Sequence, residues 1–102
     1  MYTLTDKTFD KYLADDIPLL VMFHAEYAGP CNLARPEFEG VERRIGNRIR
    51  CATFDLDGNP DVPERYGVRA VPLFILFENG IPTNIYAGAL TEQQLLEAFD
   101  GD

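Results

Sequence analysis

Two cysteines and one histidine are the side chains of this chain best suited to nucleophilic, redox or metal chemistry. Cys31 closes the segment His24-Ala25-Glu26-Tyr27-Ala28-Gly29-Pro30-Cys31, which follows the apolar run 19–23 and leads into a helix-forming stretch. In an α/β sheet, sites gather at the carboxyl ends of strands, and this segment reads as such an end. A cysteine in the first turn of a helix lies where unpaired N–H groups and the positive end of the dipole favour a thiolate. The plainer reading of Cys31 is a small buried hydrophobe. Cys51 falls inside a stretch, 49–56, that reads as a strand, where a small apolar side chain suits a buried core position. A helix should separate the two, so a disulfide, which needs Cα atoms within roughly 7 Å, is not expected. Nor is a metal on Cys31, Cys51 and His24, because the chain carries no second paired-ligand motif.

The chain around these residues has 102 positions and a mass of 11.5 kDa, which fits a single domain over 1–102 with a radius of gyration of roughly 13 Å. With 46% hydrophobic residues there is material for one sizeable core, which needs no disulfide scaffold. Nine basic against seventeen acidic residues give a net charge of −8, a field that repels phosphate backbones and anionic headgroups. Nucleic acid and membrane are therefore excluded as expected partners. Asp6, Lys7, Asp10, Lys11, Asp15 and Asp16 interrupt any targeting-type apolar stretch near the start. The longest apolar runs, 17–23 and 70–77, fall far short of the roughly 20 residues that span a bilayer. The expectation is a cytoplasmic monomer without cofactor.

The elements that must position the cysteines follow from periodicity. Thr5 or Asp6 is placed to cap a first helix with Phe9, Tyr12 and Leu13 on one face, ending by Asp15 or Asp16. The continuous apolar run 18–23 reads as a strand buried on both sides. After Gly29-Pro30, the residues Leu33, Phe38, Val41 and Ile45 keep helical spacing up to Gly46-Asn47, with Pro36 inside and a kink expected there. A third strand, 49–56, precedes Asn59-Pro60, which places a cap residue and a first-turn proline ahead of a short helix that stops at Gly67. The strand 73–77 turns at Asn79-Gly80 into 83–87, which is where the sheet is expected to become antiparallel. Thr91 and Gln94 form a capping box for a last helix that buries Leu95, Leu96 and Phe99. With a first strand at 2–4 the order is β-α-β-α-β-α-β-β-α, an α/β fold with parallel pairing through the crossovers.

The segment around Cys31 closely resembles the thioredoxin active-site segment Ala-Glu-Trp-Cys-Gly-Pro-Cys, with Tyr27 for the tryptophan and Ala28 for the first cysteine. The resemblance extends over nearly the whole chain: Phe23, Ala25, Glu26, Gly29, Pro30, Cys31 and Pro36, then Asp57 with Asn59-Pro60, Tyr66-Gly67-Val68-Arg69-Ala70-Val71-Pro72, Phe77-Glu78-Asn79-Gly80 and Gly88-Ala89-Leu90. It implies the thioredoxin fold, a central mixed sheet of four or five strands flanked by helices on both faces. It further implies that position 28 is that of the attacking cysteine and Cys31 the resolving one. Pro72 is then cis, the backbone of Val71 pairs with an extended substrate segment, and Tyr27, Gly29, Pro30, Val71, Pro72 and Gly88 line a shallow apolar binding groove with Ala70, Ala87 and Ala89. The family's buried aspartate and nearby lysine fall on Met22 and Thr53, and a second family tryptophan falls on His24, read as a packing residue. Arg43, Arg44, Arg48 and Arg50 are read as a solvated face at the far end of the second helix.

Two function classes follow from the resemblance. One is the protein-disulfide reductase lineage, acting on disulfide-containing or extended protein segments and taking electrons from a thioredoxin reductase. Here the attacking cysteine is exchanged for Ala28, so the chain is expected not to turn over as a dithiol. The other is a natural redox-inactive protein- or peptide-binding module that keeps the groove alone.

Overall fold

A computed structural model of the chain describes residues 1–26 and 28–99. Its five strands are β1 (Tyr2–Leu4), β2 (Leu19–His24), β3 (Arg50–Asp55), β4 (Leu73–Glu78) and β5 (Ile81–Ala87), and they form one sheet in the order β1-β3-β2-β4-β5. Four helices, α1 (Phe9–Leu13), α2 (Gly29–Ile45), α3 (Asp61–Tyr66) and α4 (Glu92–Phe99), cover it. The radius of gyration is 12.3 Å.

β2 is central, and all six of its residues are buried, which is why its sequence is continuously apolar rather than alternating. Leu20 and Met22 face one way and join Phe38, Val41 and Ile45 of α2, Cys51 of β3, and Leu95 and Phe99 of α4. Leu19, Val21 and Phe23 face the other way and join Phe9 of α1, Val62 of α3, and Phe54, Ile75 and Phe77. Each such large side chain removed from water contributes about 1.5–3 kcal/mol.

The direction of β4 departs from the expectation. β1 and β2 both run parallel to β3, yet β4 is already antiparallel to β2, with Phe23 opposite Leu73 and Leu19 opposite Phe77. The seventeen residues of α2 extend about 25 Å, enough to carry the chain back along a six-residue strand of about 20 Å. The six residues of α3 extend about 9 Å, so the chain arrives at Leu73 still beside the end where β2 finished.

Asp6 does not cap α1. Its carboxylate accepts the backbone N–H groups of Asp61 and Val62, 2.9 Å each, and so caps α3 from a distant part of the chain. The entry to α1 is held instead by the Thr5 carbonyl, which accepts N–H from Thr8 and Phe9, while Thr8 Oγ1 accepts the Thr5 N–H. Asn59 likewise does not cap α3; it accepts the Asp6 N–H and donates to the carbonyls of Asp55 and Asp57. α2 contains Gly29 and Pro30 as its first residues and Pro36 in its interior. Leu33, expected on the buried face, is 70% exposed.

The hairpin and the last helix follow their local signals. Asn79 and Gly80 take φ of 55° and 79°, as a two-residue turn requires, although β5 begins at Ile81 rather than at position 83. The Thr91 N–H donates to Gln94 Oε1 and the Gln94 N–H to Thr91 Oγ1, the reciprocal box. β5 lies at the margin of the sheet, carries no charged residue, and leaves Ile81 and Ile85 exposed at 62% and 55%.

Candidate functional site

The register of the sheet gathers the sequence-predicted positions at one end. Phe23 pairs with Leu73, and Leu73 with Ala87, so the exit of β2, the peptide Val71-Pro72 and the exit of β5 share that end. The Gly88 N–H donates to the Pro72 carbonyl at 3.0 Å, and Val71-Pro72 is cis. α2 begins from the same end, because β2 leads into it through residues 25–28.

Ala28 holds the N-cap position of α2 in an extended conformation and supplies no side-chain cap. The backbone nonetheless closes locally: the Ala28 N–H donates to Ala25 O at 3.1 Å, and the Cys31 N–H to Ala28 O at 3.0 Å. Gly29 and Pro30 are exposed, Ala28, Val71 and Gly88 half-buried, and Pro72 buried, with Ala70, Ala87 and Ala89 exposed beside them. Tyr27, also expected to line the groove, lies outside the described residues. The site is thus a mostly uncharged surface rather than a cavity. A depression of about 400 Å³, lined by Pro18, Ile49, Leu76 and Phe99 among others, lies at the opposite end of β2.

Cys31 is completely buried, on the inner side of α2. Cys51 is buried as well, but pairs with Leu20 near the opposite end of β2, while His24 pairs with Asp55 at the site end. Both thiols are free. The Cys51 thiol donates to Ile49 O at 3.8 Å, and burial, reinforced by Glu42, pushes it up to about 12. Met22 and Thr53 are buried cross-strand partners.

His24, read from sequence as packing, is buried at 6% exposure but has a polar partner as well: Arg35 of α2 donates from Nη2 to its Nδ1 at 3.4 Å. Burial, then Arg35, pushes the imidazole below its ordinary range, while Asp55 and Glu26 pull the other way. Sequence reasoning missed Arg35 as a neighbour of this end of the sheet. No grouping of three or more metal-type ligands occurs among the described residues. Of the arginines read as a solvated face, Arg44 pairs with Glu92, and Arg50 pairs with Asp15 and stacks over Tyr2 and Tyr12.

A family model described as Thioredoxin matches residues 1–100. Similar proteins include a thioredoxin of Rickettsia bellii, 33% identical over 95 residues that cover 92% of this chain and 90% of that protein. A thioredoxin of Acidithiobacillus ferridurans is 34% identical over 100 residues, covering 98% and 93% respectively. A thioredoxin of Pseudomonas aeruginosa is 34% identical over 100 residues, covering 97% and 93%.

Proposed function

The chain belongs to the thioredoxin family, and we propose that it is a member of the family's thiol-disulfide oxidoreductase lineage that does not turn over as a dithiol reductase. Turnover takes two sulfurs within reach of each other: one attacks the substrate disulfide, and the second displaces it from the mixed disulfide. Position 28, that of the attacking cysteine by resemblance, carries alanine. Cys31 has no exposed surface from which to attack an incoming disulfide, and that observation carries the reading. Cys51 does not substitute, being at the other end of the sheet with a thiol that keeps its proton at neutral pH.

In this reading Gly29, Pro30, Val71, Pro72 and Gly88, with Tyr27, hold an extended protein segment that once presented its disulfide to position 28, and Cys31 keeps the resolving position. The uncharged, partly exposed groove residues themselves support protein segments as occupants. A thioredoxin reductase is the matching reductant for a restored site. A reducing cytoplasmic setting suits two free thiols. No helix among the described residues is long and apolar enough to cross a membrane.

Reduction of insulin disulfides with dithiothreitol tests the reading. The chain with Ala28 should stay at the background without protein, and Ala28→Cys should raise the rate well above it. Turnover by the unaltered chain, or no gain in Ala28→Cys, would overturn the proposal.

A further inference from the structure

The first two turns of α2 are held to the sheet more weakly than the rest of that helix. Their buried side chains are Cys31 and Ala34, both small, whereas the later turns bury Phe38, Val41 and Ile45. Pro36 has no N–H, so the Asn32 carbonyl loses the intrahelical donor that would join the two halves. Segments with few buried apolar contacts open locally at a lower free energy than the whole domain unfolds. What adds to the hold on these turns is polar: Arg35, at the end of the second turn, donates to Nδ1 of His24, the last residue of β2.

The charged groups that face His24 come from three directions: Arg35 from α2, Asp55 from β3 and Glu26 from the turn after β2. A ring nitrogen that accepts from a guanidinium must be unprotonated. Adding a proton there would set two cations at hydrogen-bond distance in a buried place, which Asp55 and Glu26 offset in part. We infer that His24 and Arg35 form an acid-released latch: with a neutral imidazole it holds the first two turns of α2 against β2, and on protonation it lets them open and uncovers Cys31. The downward push that burial and Arg35 exert on the imidazole accords with a neutral closed state. The inference rests on the proposed function only in that the released turns carry positions 28 to 31; the opening itself involves no substrate.

Labelling of Cys31 by dithiodipyridine, normalised at each pH to a free cysteine peptide and read by peptide mass spectrometry, reports the opening. Cys51, buried at the other end of the sheet, is the internal control. From about pH 7.5 to about pH 5 the normalised Cys31 rate should rise about tenfold while that of Cys51 stays flat, since between the open-state and the lower closed-state pKa each unit of acid shifts the opening equilibrium by up to about tenfold. In His24→Asn, whose side-chain oxygen still accepts from Arg35 without titrating, the rise should vanish. A flat Cys31 profile in the unaltered chain, or the same rise in His24→Asn, overturns the latch. Should His24→Asn fail to fold, Arg35→Met serves: the imidazole midpoint followed by NMR should move up toward its ordinary 6.5, and an unmoved midpoint overturns the latch equally. Neither measurement uses a protein disulfide or reads catalytic turnover, so their failure leaves the reading of Ala28 intact, and failure of the insulin assay leaves the latch intact.

Discussion

Ala28 sits at the N-cap of α2 with φ −93° and ψ 107°, a backbone conformation that suits a capping side chain, yet its methyl group accepts nothing. A sulfur at this place would sit at the positive end of a seventeen-residue helix. The Ala28→Cys thiol should therefore titrate below the ordinary 9.0 of a cysteine thiol, read from its labelling rate against pH; a midpoint at or above that value would mean that the helix end supplies no useful field. The residue scale is where sequence is most informative about the site. Ala28, Gly29, Pro30 and Cys31 are contiguous, so their type and order are visible in a string of letters. Arg35 and His24 are eleven positions apart and meet only because α2 folds back over β2. Leu33 misleads for a related reason: helical spacing marks a face, but the buried stripe narrows to Cys31 and Ala34 at this end of α2, and a large side chain in the next sector is left outside.

Among the elements, α3 and α4 are each fixed by an acid from elsewhere in the chain. Asp6 accepts from Asp61 and Val62, and Glu37 of α2 accepts the Glu92 N–H at 2.6 Å, beside the local Thr91/Gln94 box. Asp6→Ala should cost about 1–2 kcal/mol in urea denaturation, more than the roughly 1 kcal/mol expected of Thr91→Ala, because Asp6 satisfies two donors of a helix only six residues long. Equal effects of the two substitutions would argue against the distant cap. The elements that sequence locates well announce themselves locally: the apolar run of β2, the Asn79-Gly80 turn, the Thr91/Gln94 box. The errors lie where partners are far apart. Asp6 stands near α1 in sequence, and its true partners are 55 and 56 residues away. The direction of β4 depends on how far α3 carries the chain, which periodicity does not encode.

At the scale of the molecule, two buried groups give stability a pH dependence of opposite sense. The unfolded Cys51 thiol loses its proton near its ordinary 9.0, whereas the folded one holds it to about 12, so unfolding is favoured increasingly as pH rises through that window, by about 1.4 kcal/mol per unit. The unfolded His24 imidazole gains a proton near 6.5 and the folded one only at lower pH, so stability also falls as pH drops below 6.5 until the folded imidazole itself titrates. Denaturation curves taken across pH should show an alkaline loss that Cys51→Ala flattens and an acid loss that His24→Asn reduces; unaltered slopes in these variants would contradict the assignment. The fold class and the gathering of the candidate site residues at one end of the sheet are both legible in the amino-acid sequence, because β2 and the helix after it carry strong, contiguous signals. The coupling of that end to acid is not, since it lives in contacts between elements. β5 has a consequence of another kind. Its outer margin is a neutral ribbon, with Pro82 and a register shift near its start as the features that discourage a further strand from adding. What opposes pairing of two copies along it is then the long-range repulsion of a net charge of −8. Raising the ionic strength shortens the reach of that repulsion and makes the uncharged ribbon the place where molecules first touch.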